Sequence, residues 1–161
     1  MYFWNIRKLK LHLINNGLTE IQLFYYILIY VALSSLGFEL LVFFPSSEES
    51  DMTTYAASTI NVLIPIIGTI AAFRANGGST GSKFPERYFS IAFVAMNRFF
   101  VLLMPIIVAL VAYWIITYGF EQDVLPTSSD FDFMIAFSVW YAAMYLYIAK
   151  QIGEVAKHQS T

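Results

Sequence analysis

The chain contains no cysteine, which excludes a disulfide framework, a thiolate metal centre and a thiol nucleophile. Histidine is almost as scarce. His12 and His158 are the only two, and neither falls in an apolar stretch, so no such stretch offers an axial imidazole to a haem or a ligand set to zinc. Neither HExxH nor GxSxG occurs, which removes the common metalloprotease and serine-hydrolase signatures. No cofactor is implied, and an enzyme is disfavoured. Charge is thin as well: 12% of the 161 residues are charged against 58% hydrophobic, with a mean hydropathy of +0.63. That leaves too little polar surface to cover a soluble domain and makes the bilayer the expected solvent.

Positive charge is also missing from particular places. Four long apolar stretches divide the chain, and all nine Lys and Arg residues lie on one side of them. Arg7, Lys8 and Lys10 precede the first, Arg74, Lys83, Arg87 and Arg98 fall between the apolar parts of the second and third, and Lys150 and Lys157 follow the fourth. The other two connections hold Glu48, Glu49, Asp51, Glu121, Asp123 and Asp130 with no base at all. The basic-residue bias predicts an all-α membrane protein of four antiparallel transmembrane helices in an inner or plasma membrane, with both termini cytoplasmic. Because the two signs segregate to opposite faces, the net charge of −2 describes neither face, and nucleic acid is not an expected partner.

The expected organisation is a cytoplasmic amphipathic segment over residues 1–19, a four-span bundle over 20–150 and a cytoplasmic tail over 151–161. The spans run over about 21–44, 55–73, 88–118 and 131–149, each near or above the roughly 20 residues that cross hydrocarbon. The first apolar run is too long for a signal-peptide core and is expected to be retained. Upstream of it, Tyr2, Phe3, Trp4, Ile6, Leu9 and Leu13 mix with Arg7, Lys8 and Lys10. This fits an interfacial helix on the inner leaflet, although Lys10 projects near its apolar edge. Asn15, Asn16 and Gly17 break that helix, and Thr19 with Gln22 forms a capping-box pattern for the first span. Pro65 and Pro105 fall inside the second and third spans, where neighbouring helices can satisfy the freed carbonyls. The connection NGGSTGSK, Asn76 to Lys83, has the composition of a phosphate loop but not its spacing. It reads as a flexible cytoplasmic hairpin.

Two polar groupings interrupt the apolar pattern. Glu39 lies five residues before the end of the first span, roughly 7 to 8 Å below the outer boundary. Asn61 lies at similar depth on the second span, so the pair forms a candidate intramembrane polar cluster, with Tyr113 or Ser138 as further members. The second grouping is a stripe on one face of the third span: Glu86, Arg87, Ser90, Asn97 and Arg98, with Arg74 and Lys83 nearby. Basic residues at the inner interface can simply snorkel to lipid phosphates. The sharper expectation is a site for an anionic headgroup or a partner protein, built from Lys83, Arg87, Asn97 and Arg98 against the basic N-terminal segment, with Arg98 central.

Aromatic residues make up 18% of the chain and concentrate toward span ends, as interfacial belts require. Gly68 with Ala72, and Ala149 with Gly153, give small-xxx-small spacing for close helix approach within or between chains. The expected function is that of a non-enzymatic multi-pass membrane protein acting as an oligomer or as a subunit of a membrane complex. Its expected partners are anionic headgroups at the cytoplasmic face and either further copies or another membrane protein. The alternative is a small oligomeric channel or transporter with Glu39 in an ion or proton pathway.

Overall fold

A computed structural model describes residues 2–43, 52–118 and 131–159. The acidic connections after Phe44 and after Phe120, with all six of their acids, lie outside the described residues. Among the described residues the chain is all-helical, with five α-helices and no strand: α1 (Ile6–Asn15), α2 (Glu20–Phe43), α3 (Met52–Ala75), α4 (Phe84–Tyr118) and α5 (Phe131–Gln159). One stretch of these residues, Phe84–Tyr113, is long and apolar enough to cross a membrane by itself. Glu20–Ser35 and Thr59–Ala75 are shorter apolar stretches.

Helix starts and stops follow local chemistry. The Asn5 side chain caps α1 by accepting the Lys8 N–H at 3.0 Å. The helix ends where the N–H groups of Asn16 and Gly17 both donate to the His12 carbonyl, and Gly17 takes φ +70°, which costs a residue without a Cβ little. Two residues later Thr19 and Gln22 exchange side-chain-to-backbone bonds of 3.1 and 3.3 Å. This is the reciprocal capping box, and α2 follows it at once. Both α3 and α4 continue through their prolines, Pro65 and Pro105.

The buried core sits at one end of the molecule. It draws on Tyr26 near the start of α2, Ala72 near the end of α3, Tyr88 and Ile91 to Ala95 in the first turns of α4, and Ile148, Ala149, Ile152 and Val155 in the last turns of α5. Four helix ends therefore meet there, two starting and two finishing. The closest pairing is α3 with α5, then α4 with α5 and α2 with α4. Small residues allow the first. A Cβ added at Gly68 would lie 2.5 Å from Tyr145 Cδ1, and Gly153 faces Ala75. The small-xxx-small spacing thus serves an interface within the chain.

One expectation needs correction. The N-terminal helix does not lay its apolar stripe on lipid: Ile6, Leu9 and Leu13 are buried against α4 and α5, closing the core from below. The cost of exposing apolar area is met equally well by protein or by hydrocarbon, and here protein supplies the cover. Residues 151–159 continue α5, which runs unbroken to Gln159 and contributes Ile152 and Val155 to the core.

Candidate binding surface at the packed end

The polar stripe of α4 is used mainly to hold other parts of the chain. Glu86 accepts the N–H of Leu18 through Oε1, fixing the connection between α1 and α2. The Lys83 ammonium reaches the same corner, since a Cβ built on Gly17 would lie 2.9 Å from Lys83 Nζ and 3.1 Å from Glu86 Oε1. Ser90 turns back to the Glu86 carbonyl at 2.7 Å, a bond that keeps a buried hydroxyl satisfied. Higher on the helix, Asn97 Nδ2 donates to the Phe3 carbonyl at 3.3 Å and Arg98 Nε to the Trp4 carbonyl at 2.8 Å. Arg98 Nη1 also reaches Tyr147 Oη at 3.2 Å, and the guanidinium carbon lies 5.8 Å from the centre of the Trp4 ring. From α2, the Tyr26 hydroxyl accepts the Tyr2 N–H at 2.9 Å.

Of the four residues expected to meet a headgroup or partner, three therefore sit around the N-terminal segment: Lys83, Asn97 and Arg98. Arg87 does not join them. It is 3% exposed and donates through Nη1 to Asn76 Oδ1 at 2.7 Å, so its guanidinium stabilises the α3–α4 connection from within. A buried charge needs such partners because the interior does not solvate it.

Asn76 was not among the expected site residues, yet it organises the hairpin. Only 2% exposed, it accepts from Arg87 and donates through Nδ2 to the Ser82 carbonyl at 3.1 Å. Gly77 and Gly78 take φ of +102° and +59°, and a short 3₁₀ turn over Gly78–Thr80 closes the reversal. Gly81 passes so close that an added Cβ would lie 2.1 Å from the Asn76 carbonyl oxygen. The connection is thus a folded corner rather than the flexible hairpin its composition suggests. Glycine-rich composition suggests flexibility, whereas here the glycines supply backbone angles and close approach.

Of the expected polar cluster, two members meet among the described residues, Asn61 and Ser138. Asn61 Oδ1 accepts from Ser138 Oγ at 3.2 Å, across the α3–α5 interface. Glu39 belongs to α2, which among the described residues packs on α4, and its side chain lies outside the described residues. The expected contact between Asn61 and Glu39 lies outside the described residues, within which α3 packs most extensively on α5.

A further contact joins α1 to α5. Lys10 and Glu154 form an ion pair across 144 residues of sequence. The hydrogen bond from Lys10 holds the Glu154 carboxyl below its usual pKa, partial burial opposes it, and the charges of Lys10, Lys150 and His158 add to the lowering. This accounts for Lys10 standing at the apolar edge of α1: it points toward α5. The off-pattern lysine was visible in the sequence, but nothing local identified its partner.

Grooves remain between the described elements. One of about 420 Å³ runs between α1 and the end of α5, and one of about 360 Å³ lies beside the hairpin near Asn76 and Lys157. A third, of about 470 Å³ and largely apolar, opens between α2, α4 and α5 near Leu33, Phe100 and Trp140. Among the described residues no three His, Asp or Glu side chains gather as metal ligands. Comparison of the chain with protein-family models, with characterised proteins and with solved structures gives no match.

Proposed function

We propose that this chain is a non-enzymatic, four-span component of an inner or plasma membrane, with both termini cytoplasmic, and that it works as an oligomer or as a subunit of a membrane complex. The observation that carries this reading is the contrast between the two ends of the molecule. Beyond the packed end, large apolar side chains stand exposed on all four long helices, among them Val31, Ile67, Val108 and Val139. Only 12% of the most apolar window of Phe84–Tyr113 is buried within the protein, unlike the core helix of a soluble domain. Helices apolar all round need hydrocarbon or another protein around them. At about 1.5 Å per residue, the 35 residues of α4 extend ~52 Å, beyond a hydrocarbon layer of roughly 30 Å. Its polar first turns then fall at the interface.

The charge bias of the connections supports the orientation, and the packing supports association. α2 is held mainly by α4, so much of its surface, including Phe24, Leu28 and Val31, is open to a further helix. Alkaline carbonate should leave the chain in the membrane. Reporters placed within Asn76 to Lys83 or after Thr161 should read cytoplasm, and reporters near Glu49 or Asp123 should read outside. Native mass spectra of gently solubilised protein should show a homo-oligomer or a stoichiometric second protein. Release by carbonate, termini on opposite faces, or a monomer throughout would each overturn the corresponding part of the reading.

A further inference from the structure

The short segment before α1 reverses direction on the surface of α4. The Tyr2 ring lies back beside His12, with centroids 5.7 Å apart, and the Phe3 ring packs edge-on against Phe93. The carbonyls of Phe3 and Trp4 reach farther along α4, to Asn97 and Arg98, and from there the chain descends through α1 until Leu18 meets Glu86. Arg98 to Glu86 spans about 18 Å of α4, and the 10 residues of α1 span about 15 Å. This short helix therefore stands upright beside α4, with the bend at Phe3 and Trp4 at its top. The hydrogen bonds that hold the bend, from Tyr26, Asn97 and Arg98, go to its backbone. Both rings are left facing outward: Phe3 is 58% and Trp4 52% exposed.

That level is where α4 changes character. Ile91 to Ala95 are buried, whereas beyond Arg98 the side chains of Phe100, Val101, Leu102 and Met104 stand exposed. From Phe99 to Tyr118 the helix rises about 30 Å, the thickness of a hydrocarbon layer. Arg98 thus marks a boundary. Among the described residues its contacts are all with neutral groups, the Trp4 carbonyl and ring and the Tyr147 hydroxyl. Arg7 and Lys8 are exposed on the outer face of α1, below the bend, and residues 1–19 contain no acid. Aromatic rings at the edge of an apolar belt, with cations just beneath, match the gradient from acyl chain to anionic headgroup. We propose that the bend at Phe3 and Trp4 is an interfacial anchor, with both rings seated among the headgroups of the anionic leaflet at the packed end and with Arg7 and Lys8 reaching its phosphates. Arg98 is the positioning residue that fixes the depth of the bend. The inference rests on the membrane reading above. It differs from a helix lying on the leaflet, because α1 stands on end with its apolar stripe in the core.

The test uses the full chain in nanodiscs of phosphatidylcholine with or without phosphatidylglycerol. Trp114→Phe with Trp140→Phe leaves Trp4 as the only tryptophan. Its fluorescence should be quenched most by lipids brominated near the head of the acyl chain, less by lipids brominated near its end, and least by aqueous acrylamide. Adding phosphatidylglycerol should raise the shallow quenching, and Arg7→Gln with Lys8→Gln should abolish that rise. Arg98→Gln should shift the emission to the red and lower the shallow quenching. Dominant quenching by acrylamide would place the bend in water, dominant deep quenching would place it in hydrocarbon, and protection from all three quenchers would make it a protein contact; each overturns the proposal. A rise that survives in the Arg7 and Lys8 double variant overturns it as well, and unchanged emission in Arg98→Gln overturns the positioning role. Melting temperatures matched to wild type establish that the variants fold. Release of the chain by carbonate would refute the membrane reading itself, whereas an integral chain with Trp4 in water would overturn the anchor alone.

Discussion

At the residue scale, the strongest constraints fall on small side chains rather than charged ones. An alanine at Gly68 would bring its methyl within 2.6 Å of both Cβ and Cγ of Tyr145. Those atoms are near the backbone and cannot swing aside, so α3 and α5 would have to separate. Overpacking of this kind typically costs about 1–3 kcal/mol. The Gly68→Ala protein should therefore melt several degrees below wild type in detergent. Gly153 provides the internal control, because its added Cβ would sit at 3.5 Å from Ala75, an ordinary contact. Gly153→Ala should melt with the wild type, and identical melting of both variants would remove the close α3–α5 approach as a determinant of stability.

At the element scale, α1 is a short helix whose placement depends on partners distant in sequence. Ten residues make an isolated helix marginal in water. Its burial of Ile6, Leu9 and Leu13 and its bonds through Lys10 hold it in place. The Glu154 carboxyl has its pKa lowered in the folded protein. Its contribution is therefore fully present above the unfolded value of about 4.3, and is lost as pH falls through the lower folded value. The pair is partly exposed, with Glu154 at 41%, so the effect stays within about 1 kcal/mol. Spin labels at Asn15→Cys and Ser79→Cys, both exposed sites in a chain without native cysteine, report the position of α1. Their distance distribution should broaden as pH drops below about 4. Adding Glu154→Gln should produce modest broadening at neutral pH and remove that acid-dependent step; a step persisting in the Gln form would assign it to another group.

At the scale of the whole molecule, a well-packed end gives way to apolar helices with little protein around them. If bilayer and partner helices supply the missing cover, single cysteines at Val108 and Val139 should label with a lipid-soluble maleimide and resist a charged one. A cysteine at Ser79 should show the reverse preference. Ready labelling of Val108→Cys by the charged reagent in intact membranes would place that face in water, contrary to the proposed orientation of the long helices. A site protected from both reagents would instead mark a helix contact, to be located by cross-linking.

Local order was readable along the chain wherever adjacent residues settle it. The Thr19–Gln22 cap, the break at Asn16 and Gly17, and the alternation of apolar helices with polar connections all arise from contacts within a few residues. The small-residue spacing at Gly68, Ala72, Ala149 and Gly153 is legible as well, although not which helices it joins. Only the tertiary structure paired α3 with α5, turned α1 inward and set Lys10 against Glu154. It also put Arg87 to work inside a folded hairpin while Arg98 gripped the N-terminal backbone, a division that two arginines on one helix stripe do not announce. The physical reason is range. Helix caps and glycine turns are decided by short-range backbone geometry, whereas the partner of a polar side chain depends on which distant surfaces meet when apolar area is buried.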